Sequence, residues 1–255
     1  MLLAIDAGNS NITLAVFKGE ELLAHWRLAT NAARTSDEYG SDVRNLFRLA
    51  DLDFKELQAI VIASVVPALN LTLERIAETY FRLTPIFIDH ATRTGLQINY
   101  DSPADLGADR IADAIAAVAK YGAPCIVVDF GTATTFNAIN AAGEFVGGAI
   151  SPGLMTCSEA LFSRAAKLPS VEFAKPASVI GSSTVSAMQS GLYHGYAGLV
   201  DGVLAQMIAE LGSKPHVVAT GGLARVIARA SKFIDEVDET LTLEGLRLVY
   251  ERNHG

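Results

Sequence analysis

Leu2-Leu3-Ala4-Ile5-Asp6-Ala7-Gly8-Asn9-Ser10-Asn11-Ile12-Thr13-Leu14-Ala15-Val16 opens the chain as two apolar runs joined by Asp, Gly, Asn and Ser. The pattern predicts a strand, a tight turn and a returning antiparallel strand. Asp6 stands where the first strand ends, and Gly8 is free to take a positive φ, which would bring backbone N–H groups close to a ligand above the turn. Asn9, Ser10 and Asn11 add short polar side chains at the same place. Such a turn can cradle phosphate oxygens and a metal ion. Taken alone, the segment reads as an ordinary hairpin in which Asp and Asn hold the turn, the commoner case.

A second copy changes that reading. Ile126-Val127-Val128-Asp129-Phe130-Gly131-Thr132-Ala133-Thr134-Thr135-Phe136 repeats the plan, with Asp6 matching Asp129, Gly8 matching Gly131 and Asn11 matching Thr134. Lys18-Gly19-Glu20 and Ala142-Gly143-Glu144 then mark the next bend in each copy. The duplication predicts two related domains, 1–118 and 119–255, with the last helix packing back on the first, and a cleft with two acidic, glycine-lined walls.

The composition bounds the rest. At 255 residues and 50% hydrophobic content the chain can bury one large core or two modest ones and is not disordered. A net charge of −8 leaves no surplus of basic residues for nucleic-acid phosphates or anionic lipid, so neither nucleic acid nor membrane is an expected partner. Cys125 and Cys157 lie far apart without a metal-ligand or redox spacing, as expected of buried free thiols in a reducing cytoplasm. The N-terminus lacks the basic region of a secretory signal, and the uncharged stretch 176–200 is too broken by Ser, Thr, Gln, His and Gly to predict a membrane span.

Along the chain, residues 21–28 extend the first hairpin into a three-stranded meander. Thr35-Ser36-Asp37-Glu38 starts a helix, 60–66 is a buried strand stopped by Pro67, and a helix over 69–81 and a strand over 85–88 follow. Residues 97–110 read as a polar loop entering a helix over 111–120, gathering Tyr100, Asp105, Asp109 and Arg110 near its N-terminus. The macrodipole accounts for Asp105 and for Asp113 as a solvated helix residue, but an Arg beside an Asp at a helix start gains nothing from it. Gly147-Gly148-Ala149-Ile150-Ser151-Pro152-Gly153 leads into a helix over 154–162, and Gly181-Ser182-Ser183-Thr184 supplies a cap for a long helix over about 185–211. Gly191, Gly195, Gly198 and Gly202 share one face of that helix, so a second backbone, from this chain or a symmetry mate, is expected against it. His216-Val217-Val218-Ala219-Thr220-Gly221-Gly222 is a strand whose paired glycines allow a flat ligand to lie against the backbone; alone they read as a plain strand-to-helix turn.

Paired hairpins with strand-end carboxylates and a late Gly-Gly turn resemble the actin, sugar-kinase and Hsp70 superfamily. Asp6-Ala7-Gly8-Asn9-Ser10-Asn11, Gly107-Ala108-Asp109-Arg110, Asp129-Phe130-Gly131-Thr132-Ala133-Thr134-Thr135 and Thr220-Gly221-Gly222 are similar, more narrowly, to the motifs of type III pantothenate kinases. The resemblance implies an α/β fold of two duplicated ribonuclease-H-like, actin-like ATPase domains, each with a mixed five-stranded sheet flanked by helices. It implies ATP-dependent phosphorylation of pantothenate to 4′-phosphopantothenate, the first step towards coenzyme A, in the cytoplasm. By the same resemblance Asp6, Ala7, Gly8, Asn9, Ser10, Asn11, Ile12 and Thr13, with Thr132, Gly221 and Gly222, would hold ATP, and Asp6 would also lie near Mg²⁺. Asp109 would orient or deprotonate the attacking hydroxyl. Tyr100, Gly107, Ala108, Asp109 and Arg110 would bind pantothenate, joined by Thr184 from the partner subunit of a homodimer. At Asp129 carboxylate chemistry alone leaves Mg²⁺ open, whereas the family implies a monovalent cation, K⁺ or NH₄⁺. Ser10 departs from the usual Thr but keeps the hydroxyl. The rival readings are another superfamily phosphotransferase, such as a sugar kinase, and a non-catalytic transcription accessory factor.

Overall fold

The first strand, β1 (Leu2–Ala7), runs between β2 (Asn11–Lys18), antiparallel to it, and β4 (Ala59–Ser64), parallel to it. This position at the centre of a sheet is why its side chains form a nearly unbroken apolar run. β3 (Glu21–Ala29) and the two-residue β5 (Ile86–Phe87) complete the order β3-β2-β1-β4-β5. The second copy repeats it. β7 (Cys125–Phe130) lies between β8 (Ala133–Ile139), antiparallel, and β10 (His216–Thr220), parallel, with β9 (Glu144–Pro152) and β11 (Glu236–Val237) outside them. A sixth strand, β6 (Gln97–Ile98), joins the edge of β9, in a segment that the polar pattern of 97–110 predicts to be loop. Two pairs of residues suffice for it, so no run of alternation announces it.

The computed structural model describes residues 1–165 and 167–254. Contacts divide them into two units, one of residues 1–95, 101–116 and 241–254, the other of residues 96–100, 117–165 and 167–240. The cut falls at 116, two residues before 118, and one further segment changes sides. The strand β6 pairs into the second sheet and takes residues 96–100 with it; the last helix groups with the first unit.

In the first unit α1 (Ser36–Leu49) begins in a capping box, Thr35 accepting from the N–H of Glu38 while the Glu38 carboxylate accepts from Thr35. α2 (Pro67–Ile76) starts on the proline that ends the preceding strand, since Pro costs nothing at a first helical position; a π-turn, Ala77–Phe81, continues it. α1 and α2 cover a core built on Leu3, Leu14, Ile60, Ile62, Phe47 and Leu69. α3 (Ala108–Tyr121) begins three residues earlier than 111, which brings Asp109 and Arg110 into its first turn. α7 (Leu241–His254) packs on β1, β4 and β2.

In the second unit α4 (Leu154–Arg164), α5 (Thr184–Leu211) and the short α6 (Ala224–Ala228) surround a core of Ile126, Val128, Phe136, Val200, Leu204, Val217 and Ile227. Ser183 caps α5 and Gly212 closes it in the left-handed conformation, φ 66°. The four glycines of α5 lie exposed, and among the described residues nothing comes within 4 Å of the Cβ position of any of them, apart from the helix's own backbone. Among the described residues no second backbone therefore packs there. Among the described residues no helix is long and apolar enough to cross a membrane.

Candidate active site

The hairpin of residues 1–16 folds as its sequence predicts, but Gly8 does not adopt a positive φ. Its N–H instead donates to Asn11 O at 2.9 Å, and a Cβ on it would lie 3.2 Å from that oxygen. Thr30, just beyond β3, holds the turn from outside. Its hydroxyl donates to Gly8 O at 2.6 Å and its N–H to Ser10 O at 3.0 Å. No sequence signal marks Thr30; the β2–β3 register, which sets Asn11 opposite Ala29, delivers it. Asn9, Ser10 and Asn11 are exposed above the turn, Ile12 is buried in the core, and Asp6 and Thr13 face each other across the strand pair.

The second hairpin is one residue tighter. Asp6 pairs with Thr13 but Asp129 with Thr135, so the residue equivalent to Asn11 is Ala133, and Thr134 takes the place of Ile12. Matching by sequence distance alone misplaces it because the turn lengths differ. Thr134 is buried and exchanges a 2.5 Å hydrogen bond with Tyr196 of α5, whose hydroxyl also donates to Pro152 O. Thr132 is exposed, and its carbonyl accepts from Gly153 N at 3.0 Å and Thr156 Oγ1 at 2.8 Å. Gly153 stands where a Cβ would fall 2.4 Å from Gly131 O, so the glycine-rich run before α4 serves to seat this turn.

Gly221 takes the left-handed conformation, φ 90°, and a Cβ there would meet Asp129 Oδ1 at 2.4 Å and Phe130 N at 2.7 Å. The glycine thus makes room for the strand-end carboxylate of its own unit, a role that the sequence leaves open to a flat ligand. Thr220 is in parallel register with Asp129, which fixes the approach. Gly222 follows at the exposed surface.

In the first unit, Gly107 and Asp109 meet. A Cβ on Gly107 would lie 2.4 Å from Asp109 Oδ1 and 3.4 Å from Val65 Cγ1, so the missing side chain is the space that the carboxylate occupies. Val65 N donates to Ala7 O, which sets this first turn of α3 beside the C-terminal ends of β1 and β4. Arg110 N donates to Asp109 Oδ1 at 2.8 Å. Burial pushes the Asp109 carboxyl above the usual carboxylate range, and the hydrogen bond from Arg110 N and the Arg110 charge only partly oppose it. The Arg110 side chain is buried. Asp113 is not the solvated residue that a helix-dipole reading expects: it is fully buried, and Thr242 Oγ1 of α7 donates to its Oδ1 at 2.7 Å.

Tyr100 belongs to the second unit, where its ring meets Phe145 edge-on at 6.1 Å. Thr184 is exposed in the first turn of α5. Of the two thiols, Cys125 is buried and its pKa is pushed up to about 12 by burial, whereas Cys157 is half-buried. Among the described residues no three His, Cys, Asp or Glu side chains cluster as a metal cage.

The sequence model of type III pantothenate kinase matches residues 2–206. The chain belongs to the type III pantothenate kinase family. The type III pantothenate kinase of Myxococcus xanthus (strain DK1622) is 55% identical over 254 residues, covering 100% of this chain and 99% of the relative. That of Geobacter sulfurreducens (strain ATCC 51573 / DSM 12127 / PCA) is 51% identical over 253 residues, covering 99% of each. Among solved structures, a conserved Baf family protein from Campylobacter jejuni superposes with a TM-score of 0.62 at 20% identity, over 98% of each chain. An inorganic polyphosphate/ATP-glucomannokinase from Arthrobacter sp. strain KM gives 0.54 at 14% identity, over 99% of each. These two likenesses concern the fold, which is that of the actin-like ATPases and sugar kinases.

Proposed function

We propose that this chain transfers the γ-phosphoryl group of ATP to the primary hydroxyl of pantothenate, giving 4′-phosphopantothenate and ADP and so starting coenzyme A synthesis. The observation that carries the reading is Asp109, a carboxylate made more basic by burial and seated in the space left by Gly107. Phosphoryl transfer asks a protein chiefly to position the nucleophile and to stabilise charge. The hydroxyl oxygen forms the new bond to phosphorus, the bond to the β–γ bridging oxygen breaks, and Asp109 orients the hydroxyl and accepts its proton. A raised pKa suits that task, because a base is more effective the closer its pKa lies to the working pH.

Residues 6–13 and Thr132 hold the ATP phosphates, and Gly221 and Gly222 line the nucleotide. The exposed polar groups of Asn9, Ser10 and Asn11, on a turn pinned by Thr30, support this part. Arg110 and Tyr100, with Gly107, Ala108 and Thr184, take pantothenate.

Asp6, near the end of β1, would hold Mg²⁺, an ion that is usually bound through one or two carboxylates with substrate phosphates and several waters. Bound there, Mg²⁺ would neutralise phosphate charge. Asp129, seated at the end of β7 in the room left by Gly221, takes a monovalent cation, K⁺ or NH₄⁺. The open glycine face of α5 supports a homodimer in which Thr184 serves the partner's site, and a cytoplasmic location accords with the free thiols.

The test is a coupled ATP-turnover assay over a panel of acceptors, with and without K⁺. Turnover with pantothenate, abolished in Asp109→Asn, is expected. Turnover with a hexose but not pantothenate would overturn the reading in favour of a sugar kinase.

A further inference from the structure

The last helix reaches the turn of α3 that follows Asp109. Thr242, in the first turn of α7, donates its hydroxyl hydrogen to Asp113 Oδ1 at 2.7 Å. Asp113 is fully buried and lies four residues beyond Asp109, so the two share one face of α3 a single turn apart. Three residues further along α7, Gly245 lies so close to α3 that a Cβ would fall 2.0 Å from Ala112 O. Two successive contacts on α7 thus meet two successive residues of α3. One is a directional hydrogen bond and the other a backbone stop, and together they fix both the roll and the axial position of the start of α3. α7 also packs on β1, the strand that carries Asp6, and on β4, the strand that leads to Val65.

We infer that Thr242 and Asp113 are positioning residues for the proton acceptor: α7 is a brace that sets Asp109 against the end of β1. Burying a carboxylate is costly even when it is hydrogen-bonded, and an apolar pair of similar volume would pack there at less expense. What the polar pair supplies is a single register between two helices. A displacement of about 1 Å in a catalytic group can cost roughly 10²-fold in rate, so a small slide of α3 is enough to be felt at Asp109. The inference rests on the role proposed for Asp109.

Thr242→Val removes the donor and keeps the volume; Thr242→Ser restores the donor. Val249→Ala, at a buried α7 position away from Asp113, loosens the same helix without touching the hydrogen bond. Asp109→Asn is assayed in parallel, and kcat, KM and Tm are measured for all four, well below each Tm. Thr242→Val is expected to lower kcat roughly tenfold with KM for both substrates within about twofold, Thr242→Ser to recover most of the loss, and Val249→Ala to lower Tm while leaving kcat near wild type. Wild-type kcat in Thr242→Val, an equal kcat loss in Val249→Ala, or failure of both Thr242 variants to fold would overturn the inference, the last by making the pair scaffold. An active Asp109→Asn would instead overturn the role of Asp109 itself.

Discussion

Asp109 shows how little of a residue's chemistry resides in its own side chain. Its raised pKa comes first from burial, and the burial comes from the gap at Gly107 and the neighbouring Val65. Because its folded pKa lies above the unfolded value, the stability that the protonated carboxyl contributes is present at low pH and is lost as pH rises through the folded pKa. Asn mimics the protonated form. Asp109→Asn is therefore expected to abolish turnover while raising Tm at neutral pH, and the gain should vanish in acid; scanning calorimetry from neutral pH down to about pH 3, below the ordinary aspartate value, checks both ends. Gly107→Ala tests the other half of the pair. A methyl 2.4 Å from Asp109 Oδ1 has to displace the carboxylate, so kcat should fall by at least about tenfold with a smaller change in the KM for ATP. Steady-state kinetics with ATP and pantothenate varied in turn reads the split. Gly107 and Asp109 are both legible in the sequence as a motif, but their contact is not, because it depends on how the first turn of α3 is seated.

At the scale of elements, the two hairpins are nearly self-describing. Apolar runs, a turn of short polar residues and a repeated carboxylate predict both, and the sheet orders confirm the repeat. What the pattern could not carry was turn length, hence the misalignment of Thr134, and the supports that arrive from far along the chain: Thr30 for the first turn, Gly153, Thr156 and Tyr196 for the second. α5 poses the opposite case. Its glycine spacing is legible, but none of the described residues supplies the backbone it calls for. Each exposed Gly costs about 0.8–1 kcal/mol relative to Ala, so a helix that stayed solvated should be stabilised by Gly195→Ala or Gly198→Ala by about that amount. In a homodimer closed on this face the same changes should lower Tm, and most strongly at low protein concentration. Thermal melts over a concentration series, with sedimentation equilibrium, distinguish the two; a concentration-independent rise in Tm would count against the dimer.

The whole molecule is two units with one plan, each with a carboxylate near the end of its central strand, Asp6 in β1 and Asp129 in β7. If Asp129 holds a monovalent cation, replacing K⁺ with Na⁺ at constant ionic strength should cut kcat several-fold, and Asp129→Asn should remove the difference between the two salts; indifference of the wild type to the cation would sink that assignment. The sequence by itself determined the duplicated α/β plan, the family and the residues that carry its motifs, because strand periodicity, turn chemistry and motif spacing are local properties. Tertiary structure decided the rest: that Gly221 makes room for Asp129, that Asp113 is buried under Thr242, and that residues 96–100 pair into the second sheet. Each of those depends on two segments distant in sequence meeting at contact range, and a local pattern holds no record of which segments will meet.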